Sequence, residues 1–467
     1  MEQLSIRAGY CTRMETTKEQ PFPTGAGGCT QFRIPGLITL QNGALFATAD
    51  ARWTNADSDF GGIDTMYAIS EDGGRTWRNG FAAYFPDSLG TPADPTKVTT
   101  CIDPTPMQTS DGVLHIFVNM NPSGITTGLK WPRPGSGYFT VNGKRYPAVT
   151  DCYENTDINP AADPEAYPYY LGDYENGFAP ILPVKGGEAV CYADDYFNLY
   201  RKCKNTFEPM WQQQEESEAA IVQNLFYRRS AFHLFNTMYT LHLTSTDMAL
   251  TWHAGLITAQ IKGEDESGLI ASPGNGLVLA DGTALLPFYA MTPTPPDYGS
   301  VSRMILSRDN GKTWENTPPV PTTESVPWSG ECKPVALPNG KIRLFLRNGT
   351  GCICYADYDM NTRQWDLPVK TDIRVTSACN FGAMTFEGQI LIAYAAGEND
   401  DGKERVNGKL YRFRLDSECN MHLSEAVCIT PDAFSYAVLT DMGNRTAGVL
   451  YDTCCDGFII LKSVSLS

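Results

Sequence analysis

An eight-residue pattern occurs twice in the chain, as Ser70-Glu-Asp-Gly-Gly-Arg-Thr-Trp77 and Ser307-Arg-Asp-Asn-Gly-Lys-Thr-Trp314. Each copy follows a short apolar run, Met66-Tyr-Ala-Ile69 or Met304-Ile-Leu306. Such a run predicts a strand, and Asp-x-Gly behind it predicts a tight turn in which glycine supplies a positive φ. The closing tryptophan is large enough to pin the turn onto its own hairpin. A third copy, Ser245-Thr-Asp-Met-Ala-Leu-Thr-Trp252, carries Ala249 where the others have glycine, and a fourth is reduced to Asp357 and Trp365. A pattern this long marks a repeated structural unit. It constrains the fold and is silent on chemistry.

A second unit recurs between the first: an apolar run, a turn, then an alternating apolar run. It is clearest in Gly36-Leu-Ile-Thr-Leu-Gln-Asn-Gly-Ala-Leu-Phe-Ala47 and returns near Asp111-Gly112, Asp281-Gly282, Asn339-Gly340, Glu387-Gly388 and Gly443-Asn444. Asn-Gly or Asp-Gly between apolar runs is a hairpin signal. Six hairpins with turn octapeptides between them predict an all-β, six-bladed β-propeller of four-stranded blades with Asp-box turns. The spacing between the second and third units is more than twice any other, so a small inserted subdomain is expected over about 122–230. That stretch is rich in Tyr, Pro, Gly and acidic residues, as in Pro160-Ala-Ala-Asp-Pro164, and its best helix candidate covers 209–220. Residues 457–466 read as a last strand that closes the ring beside the N-terminal segment.

At 467 residues the chain holds one large core, and the repeats argue for one main domain over 1–467 with an insertion. A formal charge of −17 argues against nucleic-acid and anionic membrane partners, though converging arginines still suit a small anion. No run of eighteen apolar residues exists, so no membrane span is expected. The N-terminal Met1-Glu-Gln-Leu-Ser-Ile-Arg7 lacks the basic and apolar regions of a signal peptide, leaving a cytoplasmic chain or a mature secreted form. Fourteen cysteines contain no Cys-x-x-Cys, and the five histidines form no metal-binding doublet. Buried free thiols are the reading, with no metal expected.

Propellers bind ligands where inner strands converge on the channel mouth. Arg33 in Phe32-Arg-Ile-Pro35, Arg347 at the end of Lys341-Ile-Arg-Leu-Phe-Leu-Arg347, and Arg405 in Glu404-Arg-Val-Asn-Gly408 each stand at a strand end. Any one alone reads as a rim charge. Three on different blades are what a carboxylate clamp requires, because guanidinium donors pair bidentately with a carboxylate. Asp59 on its own is a turn aspartate, Glu331 a strand-edge charge, and Tyr436 one of 23 tyrosines. Spacing alone stops at a six-bladed propeller with an anion site.

Phe32-Arg-Ile-Pro35 followed by Asp boxes resembles the bacterial sialidases, or neuraminidases, of the exo-α-sialidase family. The resemblance covers nearly the whole chain and is strongest around residues 32–77, 331–347, 405–408 and 434–439. Val141-Asn-Gly-Lys-Arg-Tyr146 is similar to a run in the insertion of larger members. The resemblance implies that Arg33, Arg347 and Arg405 grip the carboxylate of sialic acid. It makes Asp59 the acid/base and Tyr436 the nucleophile, polarised by Glu331. It also puts Arg52 and Asp103 beside the 4-hydroxyl side of the sugar and Tyr289 on the glycerol or N-acetyl side. Tyr436-Ala-Val-Leu439 and Asn119-Met-Asn-Pro122 depart from the family pattern, which bears on pocket shape and linkage preference.

The chemistry implied explains these residue types. The anomeric carbon of sialic acid bears a carboxylate, which repels a carboxylate nucleophile; sialidases with a tyrosine nucleophile are an exception to the usual two-carboxylate scheme. A phenol avoids the repulsion but needs a base, since its pKa is about 10. The leaving oxygen needs a protonated Asp59. Two displacements give net retention, and no metal or organic cofactor enters. The partner class implied is sialylated glycans. Release of a 2,7-anhydro product by intramolecular transfer, action on a deaminated sialic acid, and a catalytically silent glycan-binding propeller are the rival readings.

Overall fold

The computed structural model describes residues 7–53, 59, 61–86, 98–122, 132–157, 167–213, 220–292, 299–376, 379–397 and 404–466. The fold is all-β and propeller-like, and the one α-helix among the described residues is Thr258–Ile261. Each hairpin turn of the second unit forms, and its glycine sits in the left-handed region, with φ of 85° at Gly43, 86° at Gly112 and 84° at Gly340. A side chain at these positions would be strained, which is why the turns carry glycine.

The Asp boxes work through one hydrogen-bond pattern. Asp72 Oδ1 accepts from the Arg75 and Thr76 amides at 3.1 and 2.9 Å, and Oδ2 accepts from the Thr76 hydroxyl at 2.7 Å. Ser70 Oγ accepts from the Gly74 amide, and the Trp77 indole N–H donates to the Gly74 carbonyl at 3.0 Å. Asp309 and Trp314 repeat this around Gly311. In the third box Ala249 takes the glycine position with φ 64°, and the Tyr67 hydroxyl, rather than the box tryptophan, donates to its carbonyl at 2.7 Å. The fourth differs from its sequence reading. Asp359, not Asp357, caps the turn by accepting from the Asn361 and Thr362 amides. Asp357 lies on the preceding strand and holds Arg343 through two 2.7 Å bonds.

Strand pairing does not divide the chain into six separate four-stranded sheets. Four blade-sized sheets of five, five, four and three strands stand apart, within residues 268–316, 332–374, 382–433 and 437–465. The first two hairpin units instead share a nine-stranded sheet. They meet at a single parallel bridge, Ile63 to Thr100, and Gly9–Lys18 adds an edge strand against Thr76–Tyr84. The first strands of successive units adjoin in chain order, and Ala437–Asp441 returns to lie beside Gln31–Thr39. The segment Ser272-Pro-Gly-Asn275 crosses the middle. It accepts from Thr105 Oγ1, the Leu37 amide and the Asn380 amide group, and Asn275 donates to the Leu439 carbonyl.

Between Leu114–Asn121 and Tyr239–Ser245 the chain builds an eight-stranded sheet from strands between Tyr138 and Leu234. One apolar cluster runs from Phe46, Tyr67 and Ile116 into Ile181, Leu199 and Leu225, so this sheet and the first hairpin units share a core. The helix expected over 209–220 is absent where the chain is described. Trp211–Gln213 is a strand paired with Ala220–Val222, while 214–219 lie outside the described residues. The polar run offers no apolar stripe for a helix to bury, and cross-strand pairing satisfies the backbone instead. Pro160-Ala-Ala-Asp-Pro164 also lies outside the described residues.

Candidate active site

The site begins with two strained backbone positions. The strand Gln31–Thr39 bulges between Arg33 and Gly36, and Thr100–Gln108 bulges between Ile102 and Thr105. At each bulge a non-glycine residue directly before a proline adopts a positive φ, 56° at Ile34 and 65° at Asp103. Both are costly conformations, held only where surrounding contacts fix them. The Ile34 amide donates to Asp452 at 3.1 Å, and the Asp103 amide donates to Asp50 at 3.0 Å. A bulge re-aims side chains at a sheet rim, and here both Arg33 and Asp103 line one cavity.

That cavity, of about 230 Å³, is lined by Arg33, Asp59, Asp103, Tyr289, Glu331, Arg347, Arg405 and Tyr436, with Ile34 and Ile102. Eight of the nine residues picked out in the sequence therefore surround it. The ninth, Arg52, lies just behind: its NH2 bonds Asp50 at 2.8 Å and Asp59 at 3.1 Å.

The guanidinium carbons of Arg405, Arg33 and Arg347 stand 5.6, 5.7 and 5.9 Å from the centre of the Tyr436 ring. Three cations this close need an anion, and the structure already supplies two. Asp452 pairs with Arg33 at 3.6 Å, and Glu331 pairs with Arg347 at 2.6 Å. Arg405 bonds Ser435 Oγ and Cys454 Sγ.

Tyr436, Glu331 and Arg347 form a triangle. The Tyr436 hydroxyl donates to Glu331 Oε1 at 2.7 Å, while Arg347 NH1 donates to Glu331 Oε2 at 2.6 Å and to Tyr436 Oη at 2.9 Å. Burial lifts the Tyr436 phenol well above its ordinary pKa, Glu331 adds to this, and Arg347 opposes it. The resting phenol is neutral, with an acceptor in place for its proton.

On the opposite wall carboxyls are crowded. Burial, then Asp50, Glu331 and Asp59, push Asp103 well above the usual carboxylate range. Burial also pushes Asp50 up to about 6, against the opposing pull of Arg52. Asn119 Nδ2 donates to Asp103 Oδ2 at 3.2 Å and fixes its orientation. The Asp59 side chain is 51% exposed at the rim.

Three contributors escaped the sequence reading. Asp50 carried a signal, since Asp50 and Arg52 share one strand face in Ala49-Asp-Ala-Arg52. Asp452 carried none, being one aspartate after an alternating strand. Lys333, fully buried on the strand Cys332–Ala336, feels Glu331 and Asp103, and burial lowers it to about 8.

Comparison with known proteins agrees with this picture. Residues 215–440 match the BNR repeat-like domain family. The chain is 24% identical over 472 residues to the anhydrosialidase of Macrobdella decora, covering 91% of this chain and 59% of that protein. It is 23% identical over 351 residues to sialidase B of Streptococcus pneumoniae, covering 69% of this chain and 46% of that one. The chain thus spans roughly half to three fifths of these relatives. The intramolecular trans-sialidase of Ruminococcus gnavus, solved with oseltamivir carboxylate, superposes with a TM-score of 0.80 at 23% identity, over 96% of this chain and 97% of that one. The BNR repeat-like match and this structural likeness agree with the all-β, propeller-like fold. The chain is thus similar over most of its length to an anhydrosialidase and to an intramolecular trans-sialidase.

Proposed function

We propose that this protein is a retaining exo-α-sialidase that releases terminal sialic acid from glycoconjugates. The observation that carries the reading is the Tyr436–Glu331–Arg347 triangle facing two further arginines. In this reading Arg33, Arg347 and Arg405 hold the substrate carboxylate. Tyr436 Oη attacks the anomeric carbon and passes its proton to Glu331, while Asp59 protonates the departing oxygen. A bound sugar lies over the exposed Asp59 carboxyl. Water, deprotonated by Asp59, then displaces Tyr436, whose departing oxygen takes its proton back from Glu331, and the second displacement restores the starting configuration. Arg52 and Asp103 contact the 4-hydroxyl side, and Tyr289 lines the N-acetyl or glycerol side. The cavity volume suits one sugar ring, which fits an exo-acting enzyme.

The same proposal includes the architecture. The nine-stranded sheet is read as two blades hinged at the Ile63–Thr100 bridge, which with the four separate sheets gives six blades over 1–467. Residues 122–230 form a subdomain inserted in the second.

A second reading is supported by the names of two matched proteins, an anhydrosialidase and an intramolecular trans-sialidase. There the sugar's own 7-hydroxyl replaces water in the second step and gives a 2,7-anhydro product. Incubation with a fluorogenic α-sialoside, followed by NMR of the released sugar, tests both. Free sialic acid formed first as the α-anomer supports retaining hydrolysis, and a 2,7-anhydro sugar supports transfer. No release of the fluorophore removes both.

A further inference from the structure

The eight-stranded sheet packs one face inward through Ala179, Ile181, Cys191, Ala193 and Leu199, all buried. Period-2 alternation sends Phe178, Pro180 and Leu182 to the other face, where a soluble sheet ordinarily carries polar residues. Tyr192 pairs with Pro180 across the next strand, and Phe207 pairs with Lys202 beyond it, so all share that face. Phe178 and Phe207 stack at 3.9 Å between ring centres, and Lys202 Nζ lies 5.6 Å from the Tyr192 ring and 5.9 Å from the Phe207 ring. These residues line an open cup of about 1130 Å³, far larger than the catalytic cavity of about 230 Å³.

The cup's charge runs against that of the chain. Arg201, Lys202 and Lys204 outnumber Glu175 and Glu188 among its lining residues, in a protein of formal charge −17. Half-buried aromatic rings at the wall of a cup suit the C–H face of a sugar ring, and the ammonium beside them suits a carboxylate on that sugar. Half-buried apolar side chains clustered in a concave setting, with Val190 exposed among them, mark a binding groove. We propose that this cup is a second, non-catalytic glycan site that takes an acidic oligosaccharide. The choice of an acidic sugar rests on the sialidase reading; the presence of a site rests on the cup itself. Its consequence is tethering: a branched substrate held here raises the effective concentration of its other termini at the catalytic cavity.

The test uses the full chain as Tyr436→Phe combined with Arg405→Ala, which blocks the catalytic cavity by removing part of its clamp and leaves the cup unoccupied, titrated with 3′-sialyllactose and with lactose. A binding event that survives the blocked cavity, prefers 3′-sialyllactose, and weakens about tenfold in Tyr192→Ala and again in Lys202→Ala is the expected result. The same cup substitutions in the otherwise unaltered chain leave release from a fluorogenic monosaccharide unchanged, with melting temperatures near that of the parent. Absence of a second event, insensitivity to both variants, or equal binding of lactose overturns the proposal. So does light scattering that shows the face burying a second copy of the chain. Because the titration reads binding alone, it stands whether or not the parent releases sialic acid, and a failure of the catalytic reading is seen separately in the fluorogenic assay.

Discussion

The Tyr436 hydroxyl donates to Glu331 Oε1 at 2.7 Å across a sequence separation of 105 residues, and Arg347 touches both partners. The arrangement gives the phenolic proton a destination and gives Glu331 a compensating cation. Burial and Glu331 keep the phenol neutral in the free protein. Tyr436→Phe removes the oxygen proposed as nucleophile and leaves the three arginines in place. Turnover of a fluorogenic α-sialoside is expected to fall by about 10²–10⁴-fold while a carboxylate-bearing inhibitor still binds. Turnover close to the parent's would remove Tyr436 from the nucleophile role.

Arg347→Ala should weaken sialic acid analogues by about 2–5 kcal/mol and their neutral amides far less. The loss includes the cost of leaving Glu331, only 7% exposed in its side chain, without its cation. Arg347→Lys separates the effects, since it restores charge without the bidentate fork. Equal losses for acid and amide in calorimetric titration would refute the clamp.

The Asp boxes predict a particular acid sensitivity. Hydrogen bonds from the Thr76 amide and hydroxyl lower Asp72 from 3.8 to about 2, and those from the Thr313 hydroxyl and amide do the same for Asp309. Both folded values lie below the unfolded ones, so the stabilisation is complete above about pH 4 and is lost as pH falls through 2. Asp72→Asn and Asp309→Asn should flatten the denaturation curve between pH 4 and pH 2. An unaltered acid limb in urea titrations would show that the boxes contribute nothing there.

Lys333 predicts the opposite trend at alkaline pH. Burial lowers it from 10.5 to about 8, and Glu331 and Asp103 only partly oppose that. The unfolded chain therefore binds more protons between pH 8 and pH 10.5, and this residue's contribution to stability rises across that range. Lys333→Met is expected to be more stable than the parent by on the order of 3 kcal/mol at pH 7, with the advantage gone by pH 10.5. A less stable variant at pH 7 would mean the ammonium is compensated in solution.

Local chemistry was legible in the sequence and long-range pairing was not. The turn glycines and box aspartates announce themselves because each acts within a few residues of itself. The fourth box was misread by two positions because Asp357 and Asp359 both precede Trp365 at plausible spacing, and only strand register tells turn from strand. The stretch at 209–220 looked helical because polar, straight-chain residues have good propensity, yet it had no apolar stripe to bury. Arg33, Arg347 and Arg405 stood out by composition and strand position. Tyr436 was one tyrosine among 23 until the resemblance singled it out. Asp452 was invisible, since its partner lies at the other end of the chain.

That last pairing orders events in time. Ile34 and Asp452 are 418 residues apart in sequence, so a ribosome has finished the strand bearing Arg33 long before it makes the carboxylate that holds it. Until the strand Thr446–Asp452 docks, Ile34 has no reason to keep its costly backbone angle, and the clamp is missing a jaw. On the proposed function, a partly synthesised or C-terminally clipped chain would be silent even with Tyr436 and Glu331 already made, and binding of a carboxylate would report that the two ends of the chain have met.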